Sequence, residues 1–425
     1  MSGTVTSNIF RSSGTVVAAA GGISWQAVVT ASTLTAEAGN GYLINTTSNT
    51  CTITLPASAE AGDQIIFVDY ARTWGTNKII IDSNGLNYQG DPDTHTVEYS
   101  TAGETVNIVY ADATKGWIPL DDDAVADAPV APALQKGIFG FGTYGPYVSV
   151  TNLVSSSGVV ATDTTGVGTA RSGLAATSYG YDKAIFAYGY SAATPPEVNM
   201  SNLVSSSGVV ATDTTGVGTA RDSLAACMYG GDKGIFGFGN GSPYTAATNL
   251  VTNSGVIGTD VTGVGTGRNT LAACSYGGDK GIFGYGENPA PYTNITNLVS
   301  NVGVVATDTA GVGTIRHRLA ACTYGTDKGI FGFGAGSTPK MNLTNLVSNS
   351  GVVSADVTGV GTARIMLSAS GYGGDKGIFA YGQDTPAPHY SMSNKVSNSG
   401  VVATDTTGVG TGRLALGGAG YSNSA

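Results

Sequence analysis

The chain has 425 residues, of which 41% are hydrophobic and 11% are charged, with 64 glycines and a net charge of −10. Residues 1–133 hold 4 basic and 14 acidic side chains, whereas residues 134–425 hold 15 of each, so no basic patch is available for nucleic acid or for an anionic membrane. The hydrophobic content excludes a disordered chain, and the abundant Gly, Ser, Thr and Val predict an all-β protein with many turns.

The first 22 residues lack a charged start followed by an apolar run, so the sequence predicts no secretory signal. We therefore expect synthesis in a cytoplasm without a signal peptide. No stretch is long and apolar enough to predict a membrane span. We interpret residues 1–22 as an attachment segment in front of the first domain.

Residues 23–120 predict a small β domain, because short apolar runs alternate with Gly, Pro, Asn and Asp turns. The predicted strands are residues 42–45, 51–55, 64–68, 78–82 and 105–110. The acidic, Pro- and Ala-rich residues 121–133 predict an extended linker.

This front third resembles a domain of tail-fibre and other structural proteins of tailed bacteriophages. The matching residues are Ser7–Gly14, Gly41–Thr47, Thr52–Ala57, Gly62–Asp63, Asp69–Tyr70, Thr76–Ile81, Val109–Tyr110 and Lys115–Trp117. The resemblance implies assembly into a virion, with the N-terminal part bound to other virion proteins and the C-terminal part displayed. It also implies a homo-oligomer, since fibres of this kind are commonly trimeric.

Two strings repeat through residues 134–425. KGIFGFG and its variants begin at Lys136, Lys183, Lys233, Lys280, Lys328 and Lys376. GVVATDTTGVGTAR and its variants end at Arg171, Arg221, Arg268, Arg316, Arg364 and Arg413. Six units with a period just under 50 residues predict a repeat architecture.

Each unit predicts four strands, which is the content of a β-propeller blade. In the unit around Lys233 they are residues 224–229, 233–238, 248–252 and a last strand that begins at 256–259. A solenoid is the rival fold, but it would need polar caps at both ends. The first unit instead lacks its small-residue strand, and residues 416–421 are a surplus copy of that strand at the other end. The sequence therefore predicts a six-bladed propeller over residues 134–425, closed by the C-terminal strand.

The repeat resembles kelch propellers. The resemblance rests on an Arg before a strand, a Tyr-Gly-Gly turn and the Ile-Phe-Gly-Phe-Gly strand at this period. The chain departs from kelch because no Trp follows Trp117, so the fourth-strand Trp is absent.

The residue types that commonly carry chemistry occupy repeated structural positions. Cys227, Cys274 and Cys322 share one position with Thr177, Ser370 and Ala419, which favours a small core residue over a disulfide or a metal ligand. Cys51 is the fourth cysteine, and His95, His317 and His389 show no ligand spacing. We expect the one repeated Asp of each unit to form turns or hydrogen bonds and not to bind Ca²⁺. The Asp-Lys pairs predict hairpin turns. We expect the repeated Arg to pack or pair between blades and not to bind a ligand.

A sialidase-type propeller is a rival reading, but a glycosidase needs two nearby carboxylates. Glu197 and Glu287 are the only Glu residues of the repeats, and they lie in unlike loops. The sequence therefore predicts a protein that is not an enzyme and needs no cofactor or metal.

Variation concentrates in the loops after the second strand and in the two residues after each repeated Arg. Alternating strand direction places both at one end of the blades, and variable loops on a rigid frame are where recognition usually occurs. The candidate binding residues are Tyr144, Tyr147, Tyr190, Tyr244, Tyr292, His317, Arg318, His389 and Tyr390. The alternative is that unconstrained loops simply drift.

Three functions remain open. The first is a phage tail fibre or appendage on the virion surface, whose propeller recognises a host-surface polysaccharide or protein. The second is a carbohydrate-active enzyme or lectin of other origin, and the third is a purely structural capsid or tail decoration protein.

Overall fold

The computed structural model describes residues 9–12, 15–18, 22–93, 97–120, 133–241, 243–288, 292–337, 340–384 and 388–424, the first two ranges by backbone alone. The chain divides into two compact units, Met1–Ala131 and Pro132–Ala425. The regular elements in these ranges are β-strands, so the prediction of an all-β protein is confirmed. A helix able to cross a membrane does not occur in the described ranges. The predicted linker, residues 121–133, lies outside them apart from Ala133.

The described residues of the N-terminal unit form eleven strands. Their bounds are β1 Ile9–Ser12, β2 Thr15–Ala18, β3 Ser24–Trp25, β4 Thr33–Thr35, β5 Asn40–Ile44, β6 Cys51–Thr54, β7 Gln64–Asp69, β8 Ile79–Asp82, β9 Val97–Tyr99, β10 Thr105–Asp112 and β11 Gly116–Pro119. β1 and β2 form a hairpin. The others form two sheets of order β11-β10-β7-β5-β3 and β4-β6-β8-β9.

From β3 to β8 the chain alternates between these two sheets, so that β3, β5 and β7 are parallel neighbours, as are β4, β6 and β8. Period-two burial along β7 points Ile65 and Phe67 into the core. Trp74 and Trp117 are also fully buried in this core. The five predicted strands correspond to β5, β6, β7, β8 and β10, whereas the parallel pairing was not predicted.

Nineteen strands occur in the part of the C-terminal unit that the structure describes. Their bounds are β12 Lys136–Gly140, β13 Thr151–Val154, β14 Arg171–Ser172, β15 Ala175–Tyr179, β16 Lys183–Ser191, β17 Glu197–Val204, β18 Ala225–Tyr229, β19 Lys233–Gly237, β20 Thr248–Val251, β21 Ala272–Tyr276, β22 Lys280–Gly284, β23 Thr296–Val299, β24 Ala320–Tyr324, β25 Lys328–Gly332, β26 Thr344–Val347, β27 Ser368–Tyr372, β28 Lys376–Ala380, β29 Ser393–Val396 and β30 Gly417–Tyr421.

These strands form six small antiparallel sheets, one per repeat. We number them in chain order, so that the first is β13-β12-β30, the second holds β14–β17, and the third to sixth are β18–β20, β21–β23, β24–β26 and β27–β29. In the first sheet the C-terminal strand β30 pairs with β12, from Lys136 opposite Tyr421 to Gly140 opposite Gly417. This is the pairing that the repeat offset predicted for the surplus strand.

The prediction of a fourth regular strand in each unit is wrong. In the third sheet the fourth segment pairs with β20 through two isolated bridges, Thr248 to Val261 and Val251 to Ile257, and through main-chain hydrogen bonds such as that from Gly258 to the carbonyl of Leu250 at 2.8 Å. The step between these bridges is three residues on β20 and four on its partner, so the segment bulges and forms no regular strand. The side chain of Asn249 adds a hydrogen bond at the bulge by donating to the carbonyl oxygen of Gly258 at 3.0 Å.

Aromatic pairs join each sheet to the next. They have T-shaped geometry with ring centroids 5.1–5.5 Å apart, and they are Phe141–Phe186, Tyr188–Phe236, Phe238–Phe283, Tyr285–Phe331, Phe333–Phe379 and Tyr381–Phe139. The last pair joins the sixth sheet to the first, although its two residues lie near opposite ends of the unit's sequence. Six hydrophobic clusters in this unit each combine residues of neighbouring sheets.

The repeated arginines are fully buried between neighbouring sheets. Arg221 donates to the carbonyl oxygen of Phe238 at 2.9 Å and to Oδ1 of Asn249 at 2.6 Å, both on the third sheet. Its guanidinium also lies 4.3 Å from the ring centroid of Tyr188 on the second sheet. Each repeated Arg therefore combines hydrogen bonds to one sheet with a cation–π contact to the sheet before it.

This contact depends on an unusual backbone at the second aromatic of the repeated string. Phe141, Tyr188, Phe238, Tyr285, Phe333 and Tyr381 all have φ between 63° and 65°. A bulky residue in this left-handed region costs about 1–3 kcal/mol. In Phe238 the carbonyl oxygen accepts the Arg221 hydrogen bond, which helps to offset that cost.

Candidate functional site

Loops gather at both ends of the six sheets, and the two ends differ in composition. At one end lie the Gly-Gly-Asp and Asn-Ser-Gly turns, which contact each other between sheets: the amide of Gly230 donates to the carbonyl of Asp279, and the Cα of Gly230 faces the carbonyl of Asn301. At the other end the loops after the second strands meet the residues that follow the repeated arginines. Asp222 bridges to Asn240, and His317 bridges to Ala335. We call this second end the variable face.

Six residues form the inner ring of the variable face, each two positions after a repeated Arg. They are Gly173, Ser223, Thr270, Arg318, Met366 and Ala415. All six have left-handed backbone with φ between 49° and 62°. The amide of each donates to the carbonyl oxygen of the preceding member at 2.7–2.9 Å, and the amide of Gly173 donates to Ala415, so the cycle has no break.

The inner ring surrounds the opening of a cavity of about 140 Å³. The cavity wall is formed by the ring and by the residues that follow it, which are mostly Leu and Ala, as in Leu224–Ala226. These residues lead into the inner strands of the six sheets, which are β15, β18, β21, β24, β27 and β30. Arg318 is the one charged residue in this wall. The hydrogen-bonded backbone thus holds six unlike side chains around a small and largely neutral opening.

The variable face has a polar side and an apolar side. The third to fifth sheets supply Ser223, Thr270 and Arg318, and the sixth and first sheets supply Met366 and Ala415 in the same positions. The residues that precede Thr270, Arg318 and Met366 are buried. Such a division suits a ligand that has hydrogen-bonding groups on one side and C–H groups on the other.

Asp222 is an acid of this face that the sequence analysis did not select. Its carboxylate accepts from Oγ of Ser223 at 2.7 Å and from Nδ2 of Asn240 at 3.2 Å. Burial raises the pKa of Asp222, and the nearby charge of Glu197 adds to the increase. The sequence signal for Asp222 is that Asp occurs at this repeat position only once.

His317, one of the candidate binding residues, is buried, with only 5% of the residue exposed. Its ring packs against Tyr292 with centroids 4.0 Å apart. Burial, together with the charge of Arg318, lowers the pKa of His317 to about 4, so the imidazole is neutral at pH 7. His317 therefore supports the loop that carries Tyr292.

The other candidate residues differ in exposure. Tyr144 is 43% exposed, whereas Tyr147 and Tyr190 are half-buried with ring centroids 6.2 Å apart. The remaining half-buried candidates are Tyr244, Tyr292, Arg318, His389 and Tyr390. Most of these tyrosines are thus partly covered by neighbouring residues. Lys340 and Asp384 also form an ion pair that links the loops of the fifth and sixth sheets.

The repeated Asp residues bind the backbone of the chain. Asp213 accepts hydrogen bonds from the amide and the hydroxyl of Thr169 at 3.0 and 2.7 Å and from Nδ2 of Asn202 at 2.9 Å. Burial opposes ionisation of Asp213, but these hydrogen bonds and the charge of Arg171 outweigh it and lower the pKa. This geometry is the hydrogen-bonding role predicted for the Asp series.

The repeated cysteines are buried free thiols, as the small-core prediction requires. A Cβ on Gly281 would lie 2.5 Å from Sγ of Cys227, so the space between β18 and β22 cannot hold larger side chains at these two positions. No cluster of three metal-ligating side chains occurs in the described ranges. His95 lies outside these ranges. Neither a family model nor a curated protein matches this chain.

Proposed function

We propose that the six sheets are the blades of a closed β-propeller. The support is that the contacts between the sixth and first sheets repeat the contacts between all other neighbours. Arg413 donates to the carbonyl of Phe141 at 2.8 Å and to Oδ1 of Asn152 at 2.7 Å, and it stacks on Tyr381 at 4.4 Å. A closed ring leaves no end sheet exposed.

We infer that this propeller presents the variable face for recognition of a surface polysaccharide or protein. The observation that carries the inference is the separation of frame and variation. The buried Arg, Asn and aromatic contacts recur around the unit, whereas the six inner-ring side chains differ although their backbones are held alike. A fixed frame with variable loops is the usual arrangement of a recognition surface.

The place of the chain in a virion is part of the same proposal. It is supported by the resemblance of the first third to phage fibre proteins and by the division into two compact units. In this proposal the N-terminal unit binds other virion proteins, the C-terminal unit faces the host surface, and the protein is a non-enzymatic fibre or appendage that is made in the host cytoplasm.

A structural decoration protein is the second candidate, and one observation favours it. Val159, Val209, Val256, Val304, Val352 and Val401 are each at least 60% exposed, one per sheet. They follow the Asn-Ser-Gly-type turns, at the end opposite the variable face. Repeated exposed valines suit packing against another virion protein.

The test is adsorption of the full-length protein to whole host cells and to surface polysaccharide purified from them. One variant replaces Tyr147, Tyr244, Tyr292 and Tyr390 by Ser, and a matched control replaces Val209, Val256, Val352 and Val401 by Thr. Saturable binding that is lost only in the Tyr variant supports recognition through the variable face. Binding that is lost only in the Val variant, or no binding by a chain that still enters particles, overturns it and leaves the structural role.

A further inference from the structure

Arg318 differs from the other arginines of the C-terminal unit and from seven of its eight lysines. The eighth, Lys136, also forms no ion pair among the described residues, but it does not line the cavity of the inner ring. The six repeated arginines are buried between sheets, and five lysines pair with an adjacent Asp, as Lys233 does with Asp232 at 2.6 Å. Lys340 pairs with Asp384, and Lys395 donates to the carbonyl of Ser157. Arg318 has no ion pair among the described residues, and its Nε is shielded from solvent without a hydrogen-bond partner there.

This unpaired guanidinium lines the cavity that the inner ring surrounds. A guanidinium without a carboxylate partner in the protein is free to form charge-assisted hydrogen bonds with an anion that enters the cavity. The ring amides cannot bind the anion, because each already donates to a neighbouring carbonyl. The donor for an anionic group at this opening is therefore the side chain of Arg318.

The surroundings of Arg318 restrict the kind of anion. The hydroxyls of Ser223 and Thr270 lie on the same ring and can accept hydrogen bonds, while Met366 and Ala415 offer an apolar wall. The volume of about 140 Å³ suits one small group and not a long chain. Planar carboxylates match the fork of the guanidinium, and a sugar ring has both hydroxyl and C–H faces.

The charges of two nearby side chains bear on this site. The carboxylate of Asp222, on the third sheet, accepts from Ser223 and Asn240 and forms no ion pair with Arg318 among the described residues. His317 is buried against Tyr292 and adds no charge at neutral pH.

We propose that the inner-ring cavity is a subsite for a carboxylate-bearing sugar unit, such as a uronic acid, whose carboxylate pairs with Arg318. The proposal rests on the function proposed above and names the chemistry of the surface polysaccharide that the protein recognises.

The chain itself supplies the variant for a test. Thr270 occupies the same ring position in the neighbouring repeat with the same left-handed backbone, so Arg318→Thr removes the cation without a new backbone requirement. Lys395→Leu is the matched control, because Leu stands at that position in the other repeats and the change also removes one positive charge.

Binding of D-glucuronate, D-glucose and inorganic phosphate to the full-length protein is measured by calorimetry, with far-UV circular dichroism as a check of folding. We expect glucuronate to bind at least about tenfold more tightly than glucose, Arg318→Thr to remove this preference, and Lys395→Leu to keep it. Glucuronate binding that survives Arg318→Thr, or that is absent in the wild-type protein, overturns the proposal. Phosphate binding as tight as that of glucuronate would overturn the sugar assignment and leave a general anion site.

Adsorption to surface polysaccharide is measured in parallel to separate this proposal from the proposed function. Adsorption of the wild-type protein without glucuronate binding refutes the subsite and leaves the recognition function. Arg318-dependent glucuronate binding without adsorption to cells or polysaccharide supports the subsite and refutes the surface-recognition role.

Discussion

Arg413 tests whether the sixth and first sheets are joined as firmly as the other neighbours. Its partners Phe141 and Asn152 lie 272 and 261 residues away along the chain, whereas the equivalent partners of Arg221 lie within one repeat. In an open row of sheets Arg413 would have no such partners. We therefore predict that Arg413→Met and Arg221→Met destabilise the protein equally.

The magnitude follows from the contacts that the guanidinium makes. Replacing Arg413 leaves the carbonyls of Phe141 and Thr411 and Oδ1 of Asn152 without a donor, and it removes the cation–π contact to Tyr381. Each unsatisfied buried acceptor costs about 1–3 kcal/mol, and the Met side chain recovers part of the lost packing. We expect a loss of about 3–5 kcal/mol in the free energy of unfolding, as for other broken buried charge contacts.

Differential scanning calorimetry of the full-length variants is the assay. For a unit of this size the loss corresponds to a decrease of about 5–8 °C in the melting temperature of the C-terminal unit. All three tryptophans, Trp25, Trp74 and Trp117, lie in the N-terminal unit, so tryptophan fluorescence reports that unit as an internal control. Arg413→Met with wild-type stability, beside a destabilised Arg221→Met, would refute the closed ring.

Three further predictions follow from the repeated contacts. Gly281→Ala should lower the free energy of unfolding by about 1–3 kcal/mol, because the added methyl group overpacks against Cys227. Adding Cys227→Ala should restore much of this stability, because Ala184 and Ala419 form the corresponding pair in one buried cluster. Additive losses of the two substitutions in chemical denaturation would contradict this prediction. Burial raises the pKa of Cys227 and of Cys322 to about 12, so Ellman's reagent at pH 8 should label them only after unfolding, and rapid labelling of the native protein would show that the inner strands open. Hydrogen bonds to the repeated Asp residues, such as Asp213, outweigh burial and lower the pKa of these carboxyls. The stability that they contribute should therefore be complete above about pH 4 and be lost as the pH falls through the pKa values of the folded protein. An Asp213→Asn, Asp260→Asn variant should be less stable than the wild type at pH 7 and lose less stability between pH 5 and pH 3, whereas an unchanged acid transition would exclude this role.

Much of the C-terminal unit could be predicted because each repeat states the same local pattern. The alternation in Lys233–Gly237 and the small residues in Ala225–Tyr229 predict a hairpin, and the offset of the units predicts the pairing of β12 with β30. The fourth segment was predicted as a regular strand, but its bulge was not, because the extra residue between its two bridges to β20 leaves no mark in the alternation of side chains.

The site was harder to predict than the frame. The inner ring is defined by a shared backbone conformation, and residues as unlike as Gly173 and Met366 adopt it, so residue type carries no signal there. The burial of His317 depends on Tyr292 from the preceding repeat's loop, a contact between segments that the sequence does not relate. In the N-terminal unit the parallel order of β3, β5 and β7 likewise depends on chain crossings and not on local pattern.

The unbroken cycle of ring amides has a consequence for how specificity can change. Main-chain hydrogen bonds hold the left-handed conformation at Ser223, Thr270 and Arg318. The side chains at these positions are therefore not needed to hold the ring. Single substitutions there can alter ligand preference without compensating changes elsewhere, and different members of the ring can vary independently. For the recognition role proposed above, this means that ligand preference can change by single substitutions in the ring while the contacts between the sheets stay the same.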